Sequence, residues 1–265
     1  MLRGDISSQF VTGLMLALIN VDGESRIIPT TKLESRPYAD MTADVMRAFG
    51  ADVRSDGERY ILRGTPLCGR EYTVEGDCSQ AAFFVAAAAI GGEVKLNGVN
   101  PKTLQGDYKI FELARGFGAS VEVGGDYVKI SRGSLHAQDV DAADIPDLVP
   151  AIAVIAALAD GRSRIYNAGR LRLKESDRIA STAALLKSLG ADVVETDDGL
   201  IINGRESLAG GEVKSYSDHR IAMAAAAASP GCRGDVTVDD IGCTDKSYPG
   251  FVDDWGSLIK NECLP

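Results

Sequence analysis

The chain has 265 residues, 45% hydrophobic and 25% charged, a balance that excludes a disordered or fibrous chain and provides for one large or two smaller cores. Its formal charge of −10, from 28 Lys and Arg against 38 Asp and Glu, opposes non-specific binding to nucleic acid or anionic membrane, so an anionic ligand needs local cations. Five scattered cysteines without a C-x-x-C (Cys68, Cys78, Cys232, Cys243, Cys263) and two histidines, His136 and His219, suggest neither a disulfide framework nor a zinc site; a reducing, cytoplasmic compartment and no metal are predicted.

The first predicted element is the helix SSQFVTGLMLALI, residues 7 to 19. Its apolar run lacks the cationic flank of a secretory signal and is too short to span a bilayer, so it reads as a core helix. The strand SRIIP follows, then an amphipathic helix, YADMTADVMRAFG, with Met41, Val45 and Phe49 on one stripe, then the hairpin ADVRSDGERYILRG. After the linker-like stretch RGTPLCGREYTVEGD, in which EYTVEG is a candidate leading strand, the pattern returns. SQAAFFVAAAAI, EVKLNG and the hairpin ASVEVGGDYVKISRG form a second copy; LVPAIAVIAALA, SRIYNA, the helix SDRIASTAALLKSLG and the hairpin ADVVETDDGLIINGR form a third. A fourth copy starts with DHRIAMAAAAAS and DVTVDD.

Three near-identical junctions mark the period: FGADV at 49 to 53, FGASV at 117 to 121 and LGADV at 189 to 193. Gly50, Gly118 and Gly190 sit where a helix ends at a left-handed residue. The full unit reads βαβαββ. In each unit the helix that is apolar on every side is expected to be buried, and each has a capping residue at its start: Ser7 or Ser8, Ser79, Asp147 and Asp218. Helix starts pointing one way offer free N–H groups and partial positive charge to an anion, a route by which an acidic chain can hold one.

Charged residues concentrate in three stretches: LRLKESDRIAS (171 to 181), SYSDHRIAMA (215 to 224) and CTDKSYPGF (243 to 251). Taken with S-S-Q-F, S-R-P-Y, E-G-D-x-S, Q-G-D and I-P-D, in that order across residues 5 to 251, L-K-E-S-D-R-I, S-D-H-R-x-A-M and D-K-S-Y-P-x-F make this chain resemble the 5-enolpyruvylshikimate-3-phosphate synthase family. The resemblance implies an α/β fold of repeated βαβαββ units with buried helices, an inside-out α/β barrel in which four of the family's six units are present. It also implies a first-domain remnant of one unit at 1 to 74, a second domain of three units at 75 to 265, and substrates held between the two domains. The chain is expected to be the family's C-terminal part, with the second domain's first strand supplied from the N-terminal part.

The implied reaction moves the enolpyruvyl group of phosphoenolpyruvate to the 5-hydroxyl of shikimate 3-phosphate, without a cofactor. It needs a base for the hydroxyl, an acid for the methylene carbon, and cations for carboxylate and phosphate. By resemblance Asp147 is the base, Glu175 takes part in proton transfer at the enol carbon, and Lys174 contacts the shikimate ester and the reacting groups. Arg178 and Arg220 grip phosphoenolpyruvate, as a planar guanidinium suits, and Lys246 lies by its phosphate as a proton donor on elimination. Ser7, Ser8, Gln9, Ser35 and Tyr38 match the shikimate 3-phosphate grip. The bland alternatives are that Asp147 caps a helix, that Glu175 and Arg178 pair with each other, and that the serines are ordinary caps. His219 is read as a local hydrogen-bonding residue; Arg170 and Arg36 are given no role.

Three competing readings stand beside this one. A nucleotide-sugar enolpyruvyl transferase shares the fold, but LKESDR with DKSYPGF favours the shikimate enzyme; an RNA 3′-terminal cyclase is opposed by the charge and the lack of a basic stripe. Alternatively the chain is incomplete by itself and binds a complementary chain, or self-associates, through residues 1 to 74. That stretch is expected to be the less stable part.

Overall fold

The computed structural model describes residues 1–260. Its first repeat comprises α1 (Ser8–Leu18), β1 (Glu24–Ile27), α2 (Arg36–Ala48), β2 (Asp52–Ser55) and β3 (Tyr60–Arg63). The second has α3 (Cys78–Gly91), β4 (Glu93–Asn97), α4 (Lys109–Phe117), β5 (Ser120–Val123) and β6 (Tyr127–Ser131). The third runs β7 (Val140–Asp141), α5 (Val149–Ala157), β8 (Arg162–Tyr166), α6 (Arg178–Ser188), β9 (Asp192–Thr196) and β10 (Gly199–Asn203). The fourth contributes β11 (Gly211–Val213), α7 (His219–Ala228), β12 (Val236–Val238) and α8 (Phe251–Lys260). Two compact units result: Met1–Glu75 with Lys102–Tyr108, and Gly76–Pro101 with the chain from Lys109 onward.

Each repeat places its hairpin against the strand that follows its first helix, giving sheets ordered β1-β3-β2, β4-β6-β5 and β7-β8-β10-β9, with β11-β12 as a two-stranded parallel pair. Side chains alternate as a half-covered sheet requires: Val128 and Ile130 of β6, and Leu200 and Ile202 of β10, point into the core. Among the described residues only β7 and β11 are leading strands, each anchored by a buried valine, Val140 or Val213. The predicted strand EYTVEG does not form. Its Val74 is 81% exposed, so no apolar burial holds the segment extended.

The repeated junctions are one structural device. Gly50, Gly118 and Gly190 adopt φ of 91°, 104° and 87°, and their N–H groups donate to the carbonyls of Arg47, Arg115 and Lys187 at 2.9, 2.9 and 3.0 Å. The alanine after each glycine donates to Met46, Ala114 or Leu186 at 3.0, 2.9 and 2.9 Å. This paired 6→1 and 5→2 bonding closes a helix only with a residue that tolerates positive φ, hence F-G-A and L-G-A.

In the second unit α3, α5 and α7 pack on one another and are buried on nearly all sides, because no face of any of them is polar enough for water. They approach through alanines, among them Ala82, Ala86, Ala153, Ala222 and Ala224, all without exposed surface. Their last turns, at Ile90, Leu158 and Pro230, line one polar cavity, so the three helices run the same way and their starts share the opposite end.

The first unit corrects the expectation for α1. This helix buries Ser8, Val11 and Met15 against α2 and the sheet, but Phe10 is 57% and Leu16 53% exposed, and Leu14 is exposed with them. One repeat supplies a single neighbouring helix, whereas α3, α5 and α7 each have two. The buried stripe of α2 is Ala39, Ala43 and Met46; Met41, Val45 and Phe49 are half-buried.

Candidate functional site

In the second unit the three charged stretches meet. The turn Pro146–Leu148 carries Asp147, the segment ahead of α6 carries Lys174 and Glu175, the first turns of α6 and α7 carry Arg178, Asp218 and Arg220, and the turn Gly242–Lys246 ends in Lys246. Local capping explains the placement of the two arginines: Asp177 caps α6 by accepting from the Ala180 N–H at 3.1 Å, and Asp218 caps α7 by accepting from the Arg220 N–H at 3.0 Å. Tyr216 and Ser217, left-handed at φ 56° and 53°, form the tight approach to Asp218. The chain just after Lys246 is anchored by Tyr248 and Phe251, whose rings lie 6.0 and 5.7 Å from Phe84.

Arg178 is the hub. Only 1% exposed, it donates from Nε to Asp218 Oδ2 at 2.8 Å, from Nη1 to Asp147 Oδ1 at 2.7 Å, and from Nη2 to Glu175 Oε2 at 2.6 Å and Asp218 Oδ1 at 3.3 Å. Lys174 Nζ lies 3.3 Å and Arg220 Nε 3.7 Å from Asp147 Oδ1, and Lys246 Nζ lies 2.9 Å from Glu175 Oε1. Four cations thus surround three carboxylates and leave one positive charge in a strongly acidic chain. Around the buried Arg178 and Asp218 such charges interact more strongly than surface pairs, whereas Lys246, more than half exposed, is screened by water.

Those contacts set protonation. Burial pushes the Asp147 carboxyl up, but the charges of Arg220, Lys174 and Arg178 outweigh it and hold the group below its ordinary value. Glu175, raised by burial but bonded to Lys246 and facing Arg178, falls to about 2. Asp218 is likewise lowered, its desolvation overcome by Arg178 and Ser176. Burial and then Arg220 lower His219.

The acid dependence has one sign. The three carboxylates stabilise the fold fully above their unfolded values near 4, and this contribution is lost as pH falls through the lower folded values. His219 acts the same way below about 6.5, where the unfolded chain binds its proton first. The urea midpoint is expected to hold from pH 8 to 7, slip as pH falls through 6, and drop steeply from about pH 4.5 to 2. A midpoint unchanged at pH 3 is the contrary result.

Several sequence expectations are adjusted here. Asp147 caps nothing: α5 starts at Val149 behind Leu148, without a side-chain cap bond, because the Asp147 carboxylate faces the cations. Ser79 is not the cap of α3; Asp77 is, accepting from the Ser79 and Gln80 N–H groups at 2.8 and 3.3 Å. Glu175 and Arg178 do pair, yet Glu175 precedes the helix that Arg178 begins. His219 Nδ1 is buried without a hydrogen-bond partner among the described residues. Sequence reasoning gave Asp218 and Ser176 no part in the site. The signal was a capping aspartate followed directly by His219 and Arg220.

The other predicted binding residues lie in the first unit. Ser7 caps α1, its Oγ accepting from the Gln9 N–H at 3.2 Å; Ser8 is buried and Gln9 exposed. Ser35, left-handed at φ 50°, precedes α2, and Tyr38 donates to Asp107 Oδ2 at 2.8 Å. The Glu34 N–H donates to the Gly4 carbonyl at 3.0 Å, which brings the starts of α1 and α2 to one end of that unit.

Repeated α/β units, complete as βαβαββ in the third, with a cluster of cations and carboxylates at the helix starts, define an α/β repeat protein. Residues 1–255 match the family described as EPSP synthase (3-phosphoshikimate 1-carboxyvinyltransferase). Similar proteins named 3-phosphoshikimate 1-carboxyvinyltransferase include one from Clostridium novyi, 43% identical over 255 residues (96% of this chain, 59% of the relative), and one from Methanocorpusculum labreanum, 45% identical over 258 residues (97% and 61%). A solved structure of EPSP synthase from Acinetobacter baumannii matches with a TM-score of 0.80 at 31% identity, over 93% of this chain and 59% of that one. The chain belongs to the EPSP synthase family. It spans about three fifths of the length of the relatives it matches.

Proposed function

We propose that the chain acts in transfer of the enolpyruvyl group from phosphoenolpyruvate to the 5-hydroxyl of shikimate 3-phosphate with release of phosphate, in the cytoplasm. The observation that carries this reading is the cluster of Arg178, Arg220, Lys174 and Lys246 around Asp147 and Glu175, the cations and carboxylates this chemistry requires. Membership of the family, whose similar members bear the name of that activity, supports it.

In this reading Asp147, ionised at neutral pH, accepts the proton of the 5-hydroxyl. Arg178 and Arg220 bind the carboxylate and phosphate of phosphoenolpyruvate, and that anion displaces Asp147 or Glu175 from Arg178, which raises the basicity of the displaced carboxylate as it is needed. Lys174 steadies the oxygen as it bonds to C2, while Lys246 protonates the methylene carbon through the Glu175 carboxylate bonded to it; as the C–O bond to phosphate breaks, Glu175 passes a methyl proton back to Lys246, which donates it to the leaving phosphate, and the proton held by Asp147 restores the ammonium. Ser7, Ser8, Gln9, Ser35 and Tyr38 bind shikimate 3-phosphate. Isothermal titration with each ligand, alongside a phosphate-release assay, tests the reading. Phosphate release that requires both ligands supports it; binding of both without release keeps the ligands and removes the reaction; binding of neither overturns it.

A second reading concerns partners and rests on the bare apolar face of α1. We read Phe10, Leu14 and Leu16 as the seat of a complementary polypeptide bearing repeats of this kind, since α3, α5 and α7 cover equivalent surfaces with one another. Phe10→Ser with Leu16→Ser is expected to remove association with such a chain, or self-association at high concentration, while leaving the thermal midpoint of the second unit in place. Sedimentation velocity reads this; identical profiles for both proteins would refute it.

A further inference from the structure

We propose that Asp218 is a positioning residue for Arg178, a role that rests on the function proposed above: its carboxylate fixes one edge of the guanidinium so that the other N–H groups face the ligand. Three features point to this. Asp218 has no exposed surface, while Asp147 and Glu175 keep 17% and 30% of their side-chain surface. Of the three carboxylates on Arg178, Asp218 is therefore the one that an incoming anion cannot reach.

The geometry gives the same division of labour. Asp218 takes Nε and one N–H of Nη2 through its two oxygens, the side-on arrangement that fixes the plane as well as the position of the ring of nitrogens. Nη1 and the remaining N–H of Nη2 then point to Asp147 and Glu175. Asp218 is itself fixed from behind: Ser176 Oγ donates to Oδ2 at 2.9 Å, and Oδ1 accepts from the Arg220 N–H at 3.0 Å. One carboxylate thus orients the Arg178 side chain and the backbone from which Arg220 extends. A buried ion pair is a poor device for stability alone, because well-packed apolar residues of the same size do as well. The left-handed Tyr216 and Ser217 that deliver Asp218 hold strained backbone, which also suits a site and not a scaffold.

The test uses the full chain and two variants. Asp218→Asn keeps the size and the helix cap, since asparagine caps as well as aspartate, but removes the charge; Ser176→Ala loosens Asp218 from behind without touching either arginine. Affinities for phosphoenolpyruvate and for shikimate 3-phosphate are measured separately by titration, with circular dichroism and thermal midpoint as controls. Phosphoenolpyruvate affinity is expected to fall about tenfold or more in D218N and about two- to fivefold in S176A. Shikimate 3-phosphate affinity is expected to stay within about twofold in both. Unchanged phosphoenolpyruvate affinity in both variants overturns the proposal, and so does a parallel loss of both affinities with the midpoint, which marks a scaffold residue. Should the parent chain bind neither ligand, the function itself falls and the positioning role with it.

Discussion

Replacing Arg178 with methionine is expected to lower the unfolding free energy of the second unit by about 3–5 kcal/mol, the range for a buried charge stripped of its partner. The loss is not shared equally. Asp147 keeps Lys174 and Arg220 nearby, and Glu175 keeps Lys246, but Asp218, with no exposed surface, keeps among the described residues the Ser176 hydroxyl, the Arg220 N–H and the flank of His219. Most of the cost therefore belongs to Asp218, and adding Asp218→Asn to R178M is expected to recover a large part of it. Urea titration of the parent, both single variants and the double variant closes the cycle. A loss below about 1 kcal/mol in R178M would mean that the network contributes nothing beyond surface pairing.

The second large effect falls on turnover. Asp147→Asn preserves shape and keeps an oxygen for Lys174 and Arg178, but an amide cannot take a proton. Phosphate release is expected to fall by about 10²–10⁴, the span associated with loss of a general base, with a lower thermal midpoint beside it, because the amide withdraws the charge that Lys174, Arg178 and Arg220 face. Steady-state assays at saturating levels of both ligands check this; turnover within about tenfold of the parent would remove Asp147 from the role of base and leave it as an electrostatic neighbour of the arginines.

Much of the fold was legible because its instructions are local. The F-G-A and L-G-A junctions state a helix stop and the turn into a hairpin within three residues, and alternation in β6 and β10 states which face is covered. The second helix of each unit was less legible: α6 kept the predicted stripe of Ile179, Ala183, Leu186 and Leu189, whereas α2 buried Ala39, Ala43 and Met46 in place of the predicted one. What failed was whatever depended on neighbours outside the local stretch. An apolar helix announces that it must be covered, but α1 shows that the covering surface has to be supplied from elsewhere. Asp147 looked like a cap because aspartate before an apolar helix usually is one; three distant cations decide otherwise. Asp218 was recognised as a cap and nothing more, since only folding brings α6 and α7 together and turns that same carboxylate toward Arg178.

The alanines between α3, α5 and α7 make this core vulnerable in one direction. Trimming a leucine core opens holes, but Ala86, Ala153 or Ala224 has a single methyl to lose, and even glycine costs mainly backbone freedom. Enlargement is the hazard, because two backbones already close together cannot part without moving a third. A residue larger than alanine at these sites is therefore expected to strain the packing. The helix starts, and the charged groups mounted on them, inherit their mutual spacing from that restriction.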